Sequence, residues 1–296
     1  MNQTVSETLT CFFVSDLHGH IDRYKKLFSA IEGEGPDAVF IGGDILPHGL
    51  KPPGMPGSGG DHVDFIHDFL AREFGKLKQV MEDDYPRVFV ILGNDDPRFQ
   101  EASMLDVAAG NVWDYIHDRH VEWLDFTVYG YSFVPPTPFR LKDWERFDVS
   151  RYVDPGAMAP EDGMFSVPVA DYDIKFGNIA EGLLELTDER DLGRSIFLFH
   201  SPPYKTKLDR AALDGKMVDH VPVDVHVGSI AIQRFIEDRQ PLLTLHGHVH
   251  ESTRITGDWQ DRIGSTHMFN AAHQGPELSL VRFDPNRLDE AVRELV

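Results

Sequence analysis

A single cysteine, Cys11, among 296 residues rules out a disulfide within the chain and leaves no thiolate set for a structural zinc site. It sits in the apolar run CFFV and reads as a buried core thiol. Basic residues are scarce: 28 Lys and Arg against 49 Asp and Glu give a formal net charge of −21. Such a surface repels polyanions at long range, which argues against a nucleic-acid polymer or an anionic membrane as partner. No apolar run approaches the length of a membrane span. The opening MNQTVSETLT has neither the basic start nor the apolar stretch of a secretory leader, so the expectation is a cytoplasmic protein. The glycines of LKPPGMPGSGG (50–60) are not followed by Gly-Lys-Ser/Thr. A nucleotide P-loop is therefore unsupported, and residues 46–61 read as a Pro/Gly-rich surface insertion.

What is present is an alternation of short apolar runs with helix-like stretches. TCFFVSD (10–16), DAVFIGGD (37–44) and RVFVILGN (87–94) are continuous and rich in Val, Ile and Phe, as strands buried on both faces are. Between the first two, Ile21, Tyr24, Leu27, Phe28 and Ile31 recur at helical spacing, with Gly33 or Gly35 as the stop. Between the second and third, Phe65, Phe69, Phe74, Leu77 and Met81 mark the apolar face of another helix. His62, His67 and Asp68 read as the solvated side of that helix. Strands are expected within 119–134 and at 195–200, 241–248, 263–269 and 277–283. Helices are expected at 177–190, at 228–238 and after Asp284-Pro285. The stretch 135–168 is long, Pro-rich and aromatic, and reads as a cap over a functional cleft or as an unpatterned segment. No internal repeat or linker divides the chain, so 1–296 reads as one α/β domain.

The chemistry collects where the apolar strands end. Asp16 and His18 follow the first (SDLHGH), Asp44 the second (GGD) and Asn94 the third (GND). His200 (FHSPP) and the pair His248 and His250 (GHVH) follow later ones. In an α/β sheet the carboxyl ends of strands line the crevice where ligands bind. Four imidazoles, two carboxylates and one amide make a mixed nitrogen and oxygen donor set, which suits Mn²⁺ first and Fe or Zn²⁺ next, rather than Ca²⁺. Asp16-x-His18 and His248-x-His250 each place two side chains on one side of an extended backbone. Seven donors exceed the needs of one tetrahedral ion, so two divalent ions sharing a bridging carboxylate is the economical arrangement.

These residues resemble the calcineurin-like phosphoesterase (metallophosphoesterase) superfamily, whose pattern is D-x-H, G-D, G-N-H-[D/E], H and G-H-x-H. Here it reads Asp16-Leu17-His18, Gly43-Asp44, Gly93-Asn94-Asp95-Asp96, His200 and Gly247-His248-Val249-His250. The resemblance implies a four-layer αββα sandwich. It implies that Asp16, His18 and His250 hold one ion, that Asn94, His200 and His248 hold the second, and that Asp44 bridges them. It implies a bridging hydroxide that attacks a phosphate ester.

The departure is Asp95, where the family carries a histidine that protonates the leaving group or touches the phosphate. Three alternatives stay open: a protonated Asp95, another histidine (His20, His48 or His273), or a leaving group that needs no acid; the last two are favoured. Asp96 falls where the family has an acid behind the ligands. The expected catalytic residues are Asp44, Asp95 and His20, and the expected substrate contacts are Asn94, His20, Arg140 and His273, with Asn270 beside the last. Phe139, Trp144 and Arg151 join Arg140 as candidates for a cap, or for a structural aromatic cluster. The expected activity is hydrolysis of a small phosphate ester, a phosphodiester before a monoester. The rivals are a monoesterase of the same fold, a metal-binding scaffold with weak activity, and a metallohydrolase acting on another ester.

Overall fold

The computed structural model describes residues 8–49 and 64–296. The first three apolar runs form β1 (Cys11–Val14), β2 (Ala38–Gly42) and β3 (Arg87–Ile91), mutually parallel and in register. They are followed by β4 (Asp114–Tyr115), β5 (Arg119–Trp123), β6 (Phe126–Tyr131) and β7 (Ser195–Phe199). A small hairpin, β8 (Met217–Val218) and β9 (Val221–Pro222), precedes β10 (Leu243–His246), β11 (Gln260–Ile263), β12 (Thr266–Asn270), β13 (Ser279–Phe283) and β14 (Val292–Leu295). One six-stranded sheet has the order β14-β13-β1-β2-β3-β4 and the other β11-β12-β10-β7-β6-β5.

Side chains alternate faces along a strand, and here both faces are covered. Cys11, Phe13, Phe40 and Phe89 of the first sheet meet Val128, Ile196, Leu198 and Leu245 of the second in one core. Phe12, Val14, Val39 and Val90 point the other way, into a core that includes Tyr24, Leu27 and Ile31 of α1 (Ile21–Glu34). That helix stops at Gly35, the later of the two expected stops, in the left-handed conformation at φ 56°. A π-helical stretch, Phe65–Ala71, leads into α2 (Arg72–Met81), capped by Asp64, which accepts from His67 N at 3.0 Å. His67 is only half-buried, as a solvated face requires, and its ring joins Asp64 (2.7 Å) to Asp106 (3.2 Å) of α3 (Glu101–Ala109). After α4 (Asp171–Phe176), the helices α5 (Ile179–Thr187) and α6 (Ile230–Arg239) cover the outer face of the second sheet through Leu183, Ile232 and Phe235; a short α7 spans Ser252–Thr256. The layers are helix, sheet, sheet, helix. Among the described residues no helix is long and apolar enough to cross a membrane.

Two expectations change. The terminal helix is absent: after a 3₁₀ turn at Leu288–Glu290 the chain forms β14, antiparallel to β13 with Ser279 opposite Leu295. The open edge of the sheet offers unpaired backbone groups, and pairing with them outweighs the local helix propensity of RLDEAVREL. Trp144 is fully buried, so it belongs to the interior and not to a cap surface. Phe139, by contrast, is 58% exposed. Of the Pro/Gly-rich insertion, residues 50–61 lie outside the described residues, as does His62.

Candidate metal centre

The carboxyl ends of β1, β2 and β3 meet those of β7 and β10 along one edge, where the two sheets touch. His200 Nδ1 lies 2.8 Å from the carbonyl oxygen of Gly42, and His248 N donates to Asp16 Oδ1 at 3.0 Å. The approach is close enough that a Cβ on Gly247 would collide with Ser15 Oγ and lie 2.5 Å from Asp16 Oδ2. Four of the candidate ligands hold left-handed backbone: Asp16 (φ 57°), His18 (φ 45°), Asp44 (φ 51°) and His248 (φ 71°). Non-glycine residues adopt this region at a cost of about 1–2 kcal/mol each, and such strain concentrates at functional sites.

Asp16, His18, Asp44 and His250 bring ligand atoms within 4.8 Å of one another. Nε2 of His250 is 3.0 Å from Asp16 Oδ1 and 3.1 Å from Nε2 of His18. Asp44, His200 and His248 form an adjoining group of the same compactness. Nε2 of His200 lies 3.2 Å from Asp44 Oδ2 and 3.1 Å from Asn94 Oδ1. Asp44 thus belongs to both groups, and its Oδ1 accepts from Asp95 N at 2.8 Å.

Burial alone would raise the Asp16 carboxyl, but the hydrogen bond and charge of His250, with His200 and His18 behind, hold it well below the usual carboxylate range. Burial also opposes the charge on Asp44, and His200 outweighs it, so that carboxyl too is held low. Burial would lower His200, whereas the Asp44 carboxylate pushes it up to about 10. Burial takes His18 and His248 down to about 4. Two buried carboxylates therefore face four imidazoles, of which two, His18 and His248, are held neutral. Such a donor set fits divalent cations: anionic oxygen, neutral nitrogen and one amide oxygen, all at the ends of rigid strands. The Nδ1 of His18 is buried with no hydrogen-bond partner.

Asp95 lies at the rim, with its side chain 35% exposed. Its Oδ2 is 3.3 Å from His48 Nδ1 and 3.9 Å from His18 Nδ1. His48 stacks on His18, with ring centroids 4.3 Å apart and planes 20° from parallel. His18, His48 and Asp95 form a third compact group, with the Nδ1 atoms of both stacked rings facing the same Asp95 oxygen. Burial, then the charge of Asp44, raises the Asp95 carboxyl, and His48 opposes them. Behind the rim Asp96 is fully buried; its carboxylate accepts from Ile45 N (3.0 Å), Leu46 N (2.8 Å) and Gly93 N (2.9 Å).

The remaining candidates make the following contacts. His20 is exposed at the start of α1 and makes no capping bond. Arg140 is exposed on the central segment, where its carbonyl accepts from Met164 N at 2.7 Å. His273 pairs with Glu277 at 2.9 Å, and Asn270 bonds to Leu208 O and Ser252 Oγ. Arg151 is paired with Glu161. A residue that motif spacing does not reveal is Arg23: it is buried on α1, donates to the carbonyl of Asp16 at 2.6 Å and reaches Gly275 O. The only signal for it in the sequence is an arginine on the buried face of an amphipathic helix beside Tyr24.

A family model described as calcineurin-like phosphoesterase matches residues 9–252. MJ1162 of Methanocaldococcus jannaschii, described as uncharacterized, is 39% identical over 80 residues, 26% of this chain and 31% of that protein. TT1561 of Thermus thermophilus superposes with a TM-score of 0.54 at 16% identity, over 97% of this chain and 99% of that one.

Proposed function

The chain belongs to the calcineurin-like phosphoesterase family, and we propose that it hydrolyses small phosphodiesters with two divalent metal ions. The observation that carries this reading is the convergence of Asp16, His18, Asp44 and His250 with Asp44, His200 and His248 into two groups that share one carboxylate. Asp16, His18 and His250 would hold one ion, Asn94, His200 and His248 the other, with Asp44 common to both. Ions so held supply a water acidic enough to attack near neutral pH and positive charge for the phosphoryl oxygens. Mn²⁺ fits the mixed donors first, Fe or Zn²⁺ next.

The preference for a diester rests on Asp95. A carboxylate at the rim disfavours a dianionic monoester more than a monoanionic diester. Two unit charges about 6 Å apart at an effective permittivity of about 20 repel by roughly 3 kcal/mol. Solvent around a side chain that is 35% exposed screens about half of this, leaving about tenfold in rate for the extra charge. Of the three histidines considered as leaving-group donors, His48 is the one whose ring lies against Asp95.

Protein stripped with a chelator and reloaded with Mn²⁺ should hydrolyse a chromogenic diester faster than the matching monoester. Turnover of neither ester would refute the phosphoesterase reading, and faster monoester turnover would refute the diester preference. In Asp95→Asn the ratio of diester to monoester kcat/KM should fall by about tenfold, chiefly because monoester turnover rises. An unchanged ratio would show that Asp95 does not set the preference.

A further inference from the structure

The heptapeptide KDWERFD (142–148) lies in the irregular central segment, yet all its side chains but that of Arg146 are buried or bonded to distant backbone. Asp148 accepts from Ser229 Oγ (2.5 Å), Ile230 N (2.7 Å) and Ala231 N (3.1 Å) at the start of α6. Lys142 and Glu145 form an ion pair with both side chains fully buried. Asp143 accepts from Arg98 N at 2.7 Å and from Ser166 N at 2.7 Å, and Ser166 Oγ in turn accepts from Phe99 N at 3.0 Å. Trp144, fully buried, donates its indole Nε1–H to the carbonyl of Asp96 at 2.7 Å. The guanidinium of Arg98 sits 5.0 Å over the Trp144 ring.

The contact with Asp96 matters because of what Asp96 holds. Its carboxylate gathers the amides of Ile45 and Leu46, which follow Asp44, and of Gly93, which precedes Asn94. This carboxylate joins the loops after β2 and β3, beside the bond from Asp95 N to Asp44 Oδ1. Neither loop has a strand or helix at that point to fix it, and a buried carbonyl needs a donor to stay in place. The indole N–H, a donor only, supplies that donor to the Asp96 carbonyl.

We propose that Trp144 is a positioning residue for the metal centre: through Asp96 it sets Asp44 and Asn94, making the central segment a brace for the site. The functional part rests on the two-ion reading above. Trp144→Phe keeps an aromatic ring but removes the donor together with part of the buried ring volume. Amide exchange at Ile45, Leu46 and Gly93 should then accelerate about tenfold or more. By calorimetry on chelator-stripped protein, the Kd for Mn²⁺ should rise about tenfold. With Mn²⁺ saturating, kcat on the diester should fall while KM stays within about twofold. Asp148→Asn, which loosens the other end of the segment, should lower Tm without altering those amides or the Mn²⁺ affinity.

Unchanged exchange at Ile45 and Leu46 would overturn the proposal, as would faster exchange with unchanged Mn²⁺ affinity. If Trp144→Phe does not fold, Asp143→Asn, which frees the same loop at Arg98, must weaken Mn²⁺ binding in the same direction. Failure of that variant to do so overturns the proposal equally. A wild-type protein that binds no Mn²⁺ would instead refute the two-ion reading, and the exchange at Ile45 and Leu46 would still decide whether Trp144 braces the two loops.

Discussion

Asp44→Asn should leave a folded protein with diester turnover reduced on the order of 10²–10³-fold and with most of its response to Mn²⁺ gone. Asp44 is the one carboxylate common to both candidate ligand groups. Its Oδ1 accepts from Asp95 N at 2.8 Å and its Oδ2 faces His200 Nε2 at 3.2 Å. Asparagine keeps the shape and one acceptor for the Asp95 amide, so the loop after β3 stays in place. What disappears is a negative charge buried between two sets of imidazoles. In the metal-free protein this charge is favourable, because His200 holds the Asp44 carboxyl below its ordinary pKa against the effect of burial. The variant should therefore lose about 1–3 kcal/mol of stability without metal, the typical cost of breaking a buried charged hydrogen bond.

Thermal melts with and without Mn²⁺ separate this loss from the loss of binding. An ion present at about 100 times its Kd stabilises the native state by about 2.7 kcal/mol. The wild-type melt should rise on adding Mn²⁺, and the Asp44→Asn melt should rise far less. Full turnover together with an undiminished shift would sink the assignment of Asp44 as a shared ligand.

The legibility of this site in the sequence follows from how its residues are held. Asp16, Asp44, Asn94 and His200 each stand within three residues of the end of a strand whose continuous apolar run announces burial on both faces. Strand ends in an α/β sheet lie along a common edge, so local pattern alone is enough to place them together. The pairing of His48 with Asp95 cannot be read in this way, because it depends on the path of an irregular loop. The same holds for Trp144 and Asp96: their bond joins residues 48 positions apart, with no periodicity on either side. Glu101–Ala109 does not announce itself as a helix because its apolar residues circle the axis, with Met104 and Val107 buried but Leu105 37% exposed. The terminal segment misleads for the opposite reason. Its helix-forming composition is a local signal, whereas the open edge beside Ser279–Phe283 is a tertiary one.

His246 shows the same limit on a single residue. It stands one glycine before His248, in the run LHGHVH, and would look like a further ligand by spacing alone. It is fully buried in β10, 2.7 Å from Thr244 Oγ1 and 2.9 Å from Ser201 O, and burial lowers its pKa to about 3. Both ring nitrogens are occupied by the protein itself, so it braces the strand instead of facing the cleft.

A methyl group placed where the strand ends cross should be nearly as damaging as removing the shared charge. Gly93 directly precedes Asn94, and a Cβ there would lie 2.5 Å from the backbone nitrogen of Asp44 and 2.7 Å from Cε1 of His200. Neither obstacle is the free end of a flexible chain: one is backbone and the other a buried ring. Gly93→Ala must push the loop after β3 away from the loop after β2, carrying Asn94 with it. Overpacking of this kind costs about 1–3 kcal/mol, and displacing a site by about 1 Å can cost 10²-fold in rate. The variant should melt several degrees lower, roughly 2–8 °C, and lose on the order of 10²-fold in diester turnover. Gly33→Ala supplies the contrast within the same chain. Gly33 lies in α1, and a Cβ added there would meet nothing within 4 Å, so alanine should stabilise the helix by up to about 1 kcal/mol and leave turnover unchanged. Should both variants behave alike, the crossing of the two loops is not what fixes the centre, and its rigidity must come from the ligands themselves.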